Sequence, residues 1–472
     1  MTARPRWQSI LVLALLVAAA RPAWAGRRCR PRLAAPERAR LVLDYPLAMP
    51  PDRTPENRVR IGTAVLSPGG RYLVLGTDTG HVIAWDLAAG RLLGSRPGHQ
   101  QPVKRVAFGE TDRFALTGAD DLQVVLWDLK TFEPACSFPG APLRALYEIA
   151  LSPDGRHGLS RGFDGFGTVW DLREDRELMS LFSYAFAFHP DGRSFVTAPR
   201  RLPGASLFRL KDQRETELAT GEAPVHRVAF DPAGRLVAGV AHEWDEPSRI
   251  LLWDARTGRR LRALDLSRPN PGDEPDSPVY VHAFCFSADS TSLLVACSDR
   301  LLRLIDVGSG ELRRVWRFPG RADVWDVRWV GHDRFLVHAT EDDPAAETFR
   351  PTTALWDTRH SEPRWHRAGH ISVDRRCRLG AATADGDLLL LDAATGAALL
   401  RLRAFQEGRR WIRVDAATGS CSAGSGCETA DCSRSSSGRT GYRRGLGSTG
   451  WWSSSSAAPA ARGWSPGYCP AE

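Results

Sequence analysis

The stretch LTGADDLQVVLWD at residues 116–128 decides the fold. It joins two apolar runs through an aspartate-containing turn and ends on a Trp-Asp pair. The same ending recurs in VIAWD at 82–86, GTVWD at 167–171, ILLWD at 250–254 and TALWD at 353–357. A segment repeated this often is an architectural unit before it is a functional site.

Eight such units follow one another with a mean spacing of about 44 residues, a length typical of four short strands. Each begins with an apolar strand, a turn rich in Pro, Gly and Asp, and a second strand, as in ALSPDGRHGLS at 150–160. Helical periodicity is absent after residue 60, so the chain is predicted to be all-β. The residues at the Trp-Asp position are Asp86, Asp128, Asp171, Arg209, Asp254, Asp306, Asp357 and Asp392.

The units resemble the repeats of WD-repeat β-propellers over roughly residues 60–405. In that family a Gly-His pair, a turn aspartate, a hydroxyl residue and the tryptophan form a hydrogen-bonded tetrad inside a blade. The second unit matches these positions with His99, Thr117, Asp121 and Trp127. The resemblance implies a structural role for them, because a buried imidazole and a buried indole N–H need hydrogen-bond partners.

The resemblance further implies a β-propeller of four-stranded antiparallel blades. We expect eight blades, with seven as the alternative, because the last interval, from Asp357 to Asp392, is only 35 residues long. ARLVLDYPL at 38–46 is expected to supply a strand that closes the ring, since closure removes exposed sheet edges. Most other units have lost part of the tetrad, so aliphatic packing is expected to carry more of their stability.

The two ends of the chain differ from the repeats. Residues 1–25 place two arginines before the 11-residue apolar run ILVLALLVAAA and end on an A-x-A-like site, which predicts a signal peptide and an exported, periplasmic or secreted protein. Residues 26–59 are a lead-in and residues 60–408 are the predicted propeller. Residues 409–472, rich in Ser and Gly, predict a low-complexity tail that is either disordered or the product of a frameshift.

The charge distribution argues against nucleic acid as a partner. More than half of the formal net charge of +8 lies in the first 25 residues and in the tail, so the repeat region is nearly balanced. No later stretch is long and apolar enough for stable membrane insertion after signal cleavage. His360, His366, His370 and Asp374 crowd one stretch, but their spacing does not match a metal site, and neither metal nor cofactor is predicted.

The sequence contains no recognisable catalytic motif such as G-x-S-x-G, H-E-x-x-H or a phosphate-binding loop. A pattern similar to the D-x-x-T-G-x-x-x-W of exported eight-bladed quinoproteins begins at Asp254 and Asp392. Arg262 and Leu400 stand where the tryptophan is needed. No catalytic residue is therefore predicted, and a quinoprotein-like or other propeller enzyme is kept as the alternative.

Long connections are concentrated on one face of the predicted ring. In a blade with strands a to d, the b–c and d–a connections emerge together, and the long ones span 199–205, 242–249, 267–279 and 341–351. Long loops gathered on one side of a repeat array commonly form its binding surface. Three of the four are acidic, and the candidate binding residues are Glu243, Trp244, Asp245, Glu246, Asp273, Glu274, Asp276, Glu341, Asp342 and Asp343.

The sequence thus predicts a non-catalytic, exported propeller that serves as a protein–protein interaction platform. Its expected partner is another protein, of basic character, that meets the acidic loops. A closed, stiff ring would hold these loops at fixed distances, so that little conformational entropy is lost on binding.

Overall fold

Each repeat folds into four antiparallel strands because its middle strands can bury side chains on both of their faces. In the second repeat, Phe114–Ala119 is buried at every position and Gln123–Asp128 at four of its six positions. The computed structural model describes residues 58–139, 146–199, 204–218, 223–242, 246–266, 279–319, 322–343, 348–405 and 410–414, and no helix occurs within these ranges. The all-β prediction is confirmed.

The first four blades run along the chain from strand a to strand d. Blade 1, preceded by Arg58–Val59 (β1), consists of Ile61–Leu66 (β2), Tyr72–Thr77 (β3), His81–Asp86 (β4) and Arg91–Pro97 (β5). Blade 2 consists of Val103–Phe108 (β6), Phe114–Ala119 (β7), Gln123–Asp128 (β8) and Glu133–Pro139 (β9). Blades 3 and 4 comprise Leu146–Leu151 (β10), His157–Gly162 (β11), Phe166–Asp171 (β12), Arg176–Phe188 (β13), Ser194–Pro199 (β14), Ala205–Arg209 (β15) and Arg214–Leu218 (β16).

The last four blades follow the same order. Blade 5 consists of Val225–Phe230 (β17), Leu236–Ala241 (β18), Arg249–Asp254 (β19) and Arg260–Asp265 (β20). Blade 6 consists of Val281–Phe286 (β21), Ser292–Cys297 (β22), Leu301–Asp306 (β23) and Leu312–Arg317 (β24). Blade 7 consists of Ala322–Val330 (β25), Arg334–Asp343 (β26), Thr348–Asp357 (β27) and Trp365–Ala368 (β28). Blade 8 consists of Ile371–Val373 (β29), Leu379–Ala384 (β30), Asp387–Asp392 (β31) and Ala398–Phe405 (β32), and Arg410–Val414 (β33) follows it.

Blades 3 and 4 share one strand. The 13-residue β13 pairs with β12 through its first part and with β14 through its second part, which gives a seven-stranded sheet. At this boundary strand d of one blade therefore becomes strand a of the next without a connecting loop. The other blade boundaries carry a connection between separate strands.

Eight hydrophobic clusters hold the described blades together, one at each boundary between neighbours. The cluster between blades 8 and 1 joins Leu388 and Leu402 to Leu66 and Leu75, and it completes the ring. The first strands of successive blades contact one another, as β2 contacts β6 and β21 contacts β25, so they surround the axis. The described chain thus forms the favoured eight-bladed propeller.

A short strand also joins the two ends of the ring. β1 pairs with the last two residues of β32, and β33 pairs along the same strand. The segment 38–46, which we expected to close the ring, lies outside the described residues. The last sheet extends to Val414, beyond the predicted propeller boundary at residue 408.

One of the four predicted long loops is a regular hairpin instead. Residues 341–351 belong to β26 and β27, which remain paired up to Asp343 and Thr348. The loop prediction for this stretch was wrong because acidic residues and a proline outweighed the strand-forming residues of TFRPTT at 348–353. Blade 7 therefore projects beyond its neighbours on the face where b–c and d–a connections emerge, here called the loop face.

Candidate functional site

The four predicted tetrad residues form one hydrogen-bonded chain in blade 2. The Nε1 of Trp127 donates to the Thr117 hydroxyl at 2.9 Å, and this hydroxyl lies 2.8 Å from Nε2 of His99. The other imidazole nitrogen lies 3.2 Å from an Asp121 carboxylate oxygen. Burial alone would raise the pKa of Asp121, but hydrogen bonds from His99 and from backbone amides lower it. The arrangement fixes a turn against a blade and leaves no reactive group exposed.

Other blades keep the tryptophan without the network. Trp356 in blade 7 is fully buried, and Trp170 in blade 3 nearly so, yet neither indole N–H has a hydrogen-bond partner. Ring packing replaces the hydrogen bonds, since Trp356 is stacked against Phe335 with centroids 6.3 Å apart. These blades are therefore held by apolar contacts, and their tryptophans offer no chemistry to a ligand.

Most of the predicted acidic rim lies outside the described residues: Glu243, Trp244, Asp245, Asp273, Glu274 and Asp276. Glu246 lies 3.9 Å from Arg249, and Glu341 lies 3.0 Å from His366. Asp342 is exposed on β26, and of Asp343 only the backbone pairing is described. Where the rim is described, two of its carboxylates thus have a cationic or titratable neighbour.

Exposed aromatic side chains distinguish the loop face more clearly than acidic ones. Tyr147, Phe163, Phe182, Trp325 and Phe349 are the exposed large aromatic residues of the described chain, and each lies near a b–c connection or a d–a junction. The exposed large aliphatic residues lie elsewhere, on outer strands: Leu261, Leu312 and Leu399. Exposed aromatic side chains on one face commonly mark an interaction site.

These aromatic residues were not predicted from the sequence, although a local signal was present. Phe163 stands inside the turn sequence GFDG, where a polar residue is expected, and Phe349 stands in the blade 7 hairpin. A large apolar side chain in a turn rarely has a core to enter, so it indicates a surface with another use.

A repeated irregularity turns side chains towards the mouth of the central channel. The first strands of blades 1 to 7 each carry a β-bulge at the same position near the loop face. A bulge re-aims the extra residue and increases the local twist. The bulged residues are Gly62, Lys104, Tyr147, Tyr184, His226, His282 and Trp325. The mouth is consequently lined mainly by flat rings.

Two stacks of rings order this mouth. Tyr184, His226, His242 and Tyr280 form a ladder across blades 4 to 6, with the two imidazole centroids 4.0 Å apart. Burial, together with His242, lowers the pKa of His226 to about 4. The imidazole is therefore neutral at pH 7, which removes the charge repulsion that would separate the pair.

The second stack lies between blades 7 and 8. His338 and His370 are parallel with centroids 4.3 Å apart, and Trp325 stacks on both at 5.4 and 5.3 Å. Burial lowers the pKa of His338 well below its usual value, and the neighbouring His370 and Arg328 add to the effect. The remaining residues of the histidine-rich stretch have separate partners: His360 contacts Asp357, and His366 contacts Glu341.

Comparison with known proteins places this geometry in a family. The family described as WD domain, G-beta repeat matches residues 90–128, a stretch that contains the complete tetrad. The chain is a WD-repeat protein. It is 26% identical over 197 residues to WD repeat-containing protein SL1-17 of Schistosoma mansoni, covering 40% of this chain and 63% of that protein.

Two further relatives show longer alignments. The chain is 25% identical over 316 residues to Transducin beta-like protein 3 of Bos taurus, covering 62% of this chain and 38% of that protein. It is 25% identical over 305 residues to Pre-rRNA-processing protein IPI3 of Mycosarcoma maydis, covering 56% and 51%. The WD-repeat chain thus spans less than two thirds of the length of each of these three relatives.

A solved structure is also similar, at a level too low to bear on the fold. The computationally designed protein Ika8 superposes with a TM-score of 0.49 at 18% identity, covering 72% of this chain and 95% of that chain.

The relatives overturn the predicted location. Pre-rRNA processing, for which one relative is named, is an intracellular process, and the prediction of an exported, periplasmic or secreted protein is wrong. An 11-residue apolar run behind two arginines is a short pattern that a chain rich in Ala, Leu and Arg also produces without a targeting role. Residues 1–25 lie outside the described residues, in which no helix reaches the length and apolarity of a membrane span.

Proposed function

We propose that this WD-repeat protein is a non-catalytic platform that binds another protein on its loop face. The observation that carries the proposal is the gathering of exposed aromatic residues there, on a ring that packing holds rigid. Phe163 and Phe349, 61% and 72% exposed, are the most exposed of them. Aromatic side chains add large contact area at low conformational-entropy cost, and they dominate the energetics of protein interfaces.

The acidic residues at 243–246, 273–276 and 341–343 belong to the same proposal as a rim around the aromatic centre. A rim of one charge steers an oppositely charged partner and contributes less to affinity than a buried centre does. The partner is therefore expected to be basic where it meets the rim.

The first test compares two double variants of the full chain as bait in an extract of the source cells. Phe163→Ser with Phe349→Ser removes aromatic surface from the loop face. Leu261→Ser with Leu312→Ser removes similarly exposed aliphatic residues, 54% and 49% exposed, from outer strands. We expect a partner recovered by the unchanged chain to be retained by the leucine variant and lost by the phenylalanine variant. Equal recovery by both variants would refute the loop face as the binding surface.

A further inference from the structure

A step in the loop face separates blade 7 from blade 8. The β26–β27 hairpin has ten residues in each strand, whereas β30 and β31 have six each and are joined by the two-residue turn Asp385–Gly386. At about 3.3 Å per residue, the four extra residues raise the hairpin roughly 13 Å above blade 8. The hairpin, here called the wall, thus stands above blade 8 on the loop face.

The side of the wall that faces blade 8 can be read from the strand register. His338 stacks on His370 of blade 8, so the alternate residues Thr340 and Asp342 share that side. Their partners across the ladder are Pro351 and Phe349. Phe349 and Pro351 are both exposed, and they give the wall an apolar surface.

The foot of the wall is the stack of rings described above. Trp325 is 37% exposed although one part of its ring system contacts His338 and His370. It is the bulged residue of β25, the inner strand of blade 7, near the loop face. A groove with flat rings at its foot and Phe349 on its wall therefore runs outward from the channel.

Charges along the groove are arranged by distance from the axis. Asp323 on the inner strand and Asp342 on the second strand are exposed, and neither forms an ion pair with a described residue. Asp323 is paired with Thr340 in the ladder and so belongs to the same side. Arg367, on the outer strand and paired with Thr353, is the exposed cation at the far end. Asp326 and Arg328, near the foot, form an ion pair with each other, so Asp323 and Asp342 are the carboxylates of the described groove without an ion pair and Arg367 is its outer cation.

We infer that this groove binds an extended segment of a partner protein that places an arginine or lysine against Trp325 and beside Asp323, with Asp342 further along the wall. The inference rests on the proposed function and specifies the partner chemistry for one part of the loop face. A cation over an indole is attracted by the ring, and nearby carboxylates add to the attraction. An apolar residue further along the segment contacts Phe349, and an acidic residue contacts Arg367, which fixes the direction of the segment.

The test uses three pools of ten-residue peptides that differ only in a fixed central arginine, lysine or glutamate. Fluorescence anisotropy measures their binding to the full chain. We expect the arginine and lysine pools to bind more tightly than the glutamate pool. Asp323→Asn with Asp342→Asn should weaken arginine binding about tenfold. The matched control, Glu174→Gln with Asp333→Asn, removes two carboxylates from turns at the opposite end of the ring and should leave binding unchanged.

The outcomes separate this inference from the proposed function. If the three pools bind equally, or if the Asp323→Asn, Asp342→Asn variant binds as the unchanged chain does, the groove does not select a cation. Loss of the natural partner with the phenylalanine variant but not with this aspartate variant would leave the platform intact and overturn the inference. If no pool binds and no partner is recovered, both fail. Thermal unfolding of each variant confirms that the fold is retained.

Discussion

Blades 2 and 7 reach the same four-stranded shape by different interior chemistry. Both bury a tryptophan completely at the same place in the strand. In blade 2 the indole of Trp127 donates into a network with Thr117 and His99. In blade 7 the indole of Trp356 has no hydrogen-bond partner and is stacked on Phe335. A satisfied polar network and an apolar packing of rings are thus two solutions for the same architecture.

The difference also separates scaffold from surface. The blade 2 network also ties that blade to blade 1, since His99 donates its backbone N–H to the carbonyl of Gly80, in the turn between β3 and β4. Blade 7 instead carries the extended hairpin and the exposed Trp325 and Phe349. Blade 2 thus contributes to the structure of the ring, whereas blade 7 carries the exposed residues on which the proposed partner contact depends.

The largest expected effect comes from two glycines with similar backbone angles. A Cβ added to Gly80, which has φ +80°, would lie 2.2 Å from the His99 carbonyl oxygen, whereas one added to Gly331, with φ +71°, meets nothing within 4 Å. Gly80→Ala should lower the free energy of unfolding by about 3–4 kcal/mol, from steric clash and backbone strain together. Gly331→Ala should cost about 1 kcal/mol. Urea unfolding measures both, and equal losses would contradict the close packing at His99.

The second largest effect compares buried hydroxyl groups in the interiors of blade 2 and blade 7. Thr117→Val removes a hydroxyl that serves two buried nitrogens, and Thr352→Val removes a buried hydroxyl that has no partner. The first change should lower the free energy of unfolding by about 2–3 kcal/mol, because both nitrogens lose their partner. The second should be neutral or slightly stabilising, because no hydrogen bond is lost. A similar loss in both variants, measured by thermal unfolding, would show that the blade 2 network adds no stability.

The sequence predicted the fold better than it predicted the surface. The Trp-Asp spacing indicates eight units, and the second unit identified the residues that meet in blade 2. The acidic residues and the proline at 341–351 obscured the hairpin, since local composition outweighed pairing that depends on the partner strand. The continuous β13 had a visible signal, because RELMSLFSYAFAF at 176–188 contains no Gly, Pro, Asn or Asp.

The stacks of rings could not be predicted, because they join residues of different blades. His338 and His370 are separated by a whole strand pair, and Tyr184 meets His226 across a blade boundary. Such contacts depend on how the blades are placed around the axis. The β-bulges that direct Tyr147 and Trp325 to the channel likewise follow from sheet twist and ring closure, which a single repeat does not encode.

The smallest expected effect is a loss of stability in mild acid, and it belongs to the stacked histidines. His99 of blade 2 contacts a carboxylate, whereas the fully buried His338 faces His370 and Arg328. Burial, with these two neighbours, holds the pKa of His338 well below its unfolded value of about 6.5. The unfolded chain therefore binds more protons below pH 6.5, and the free energy of unfolding falls as the pH is lowered below that value.

Thermal unfolding at pH 7, 6 and 5 tests this effect in a range where most carboxylates remain ionised. The midpoint temperature should decrease from pH 7 to pH 5, and His338→Gln should reduce that decrease because one of the groups that resist protonation is gone. His332→Gln, at an exposed turn on the opposite end of blade 7, provides the control and should leave the pH dependence unchanged. A midpoint that rises on acidification would show that the folded chain accepts protons more readily than the unfolded chain, and the stacked imidazoles would then not be held neutral by the fold.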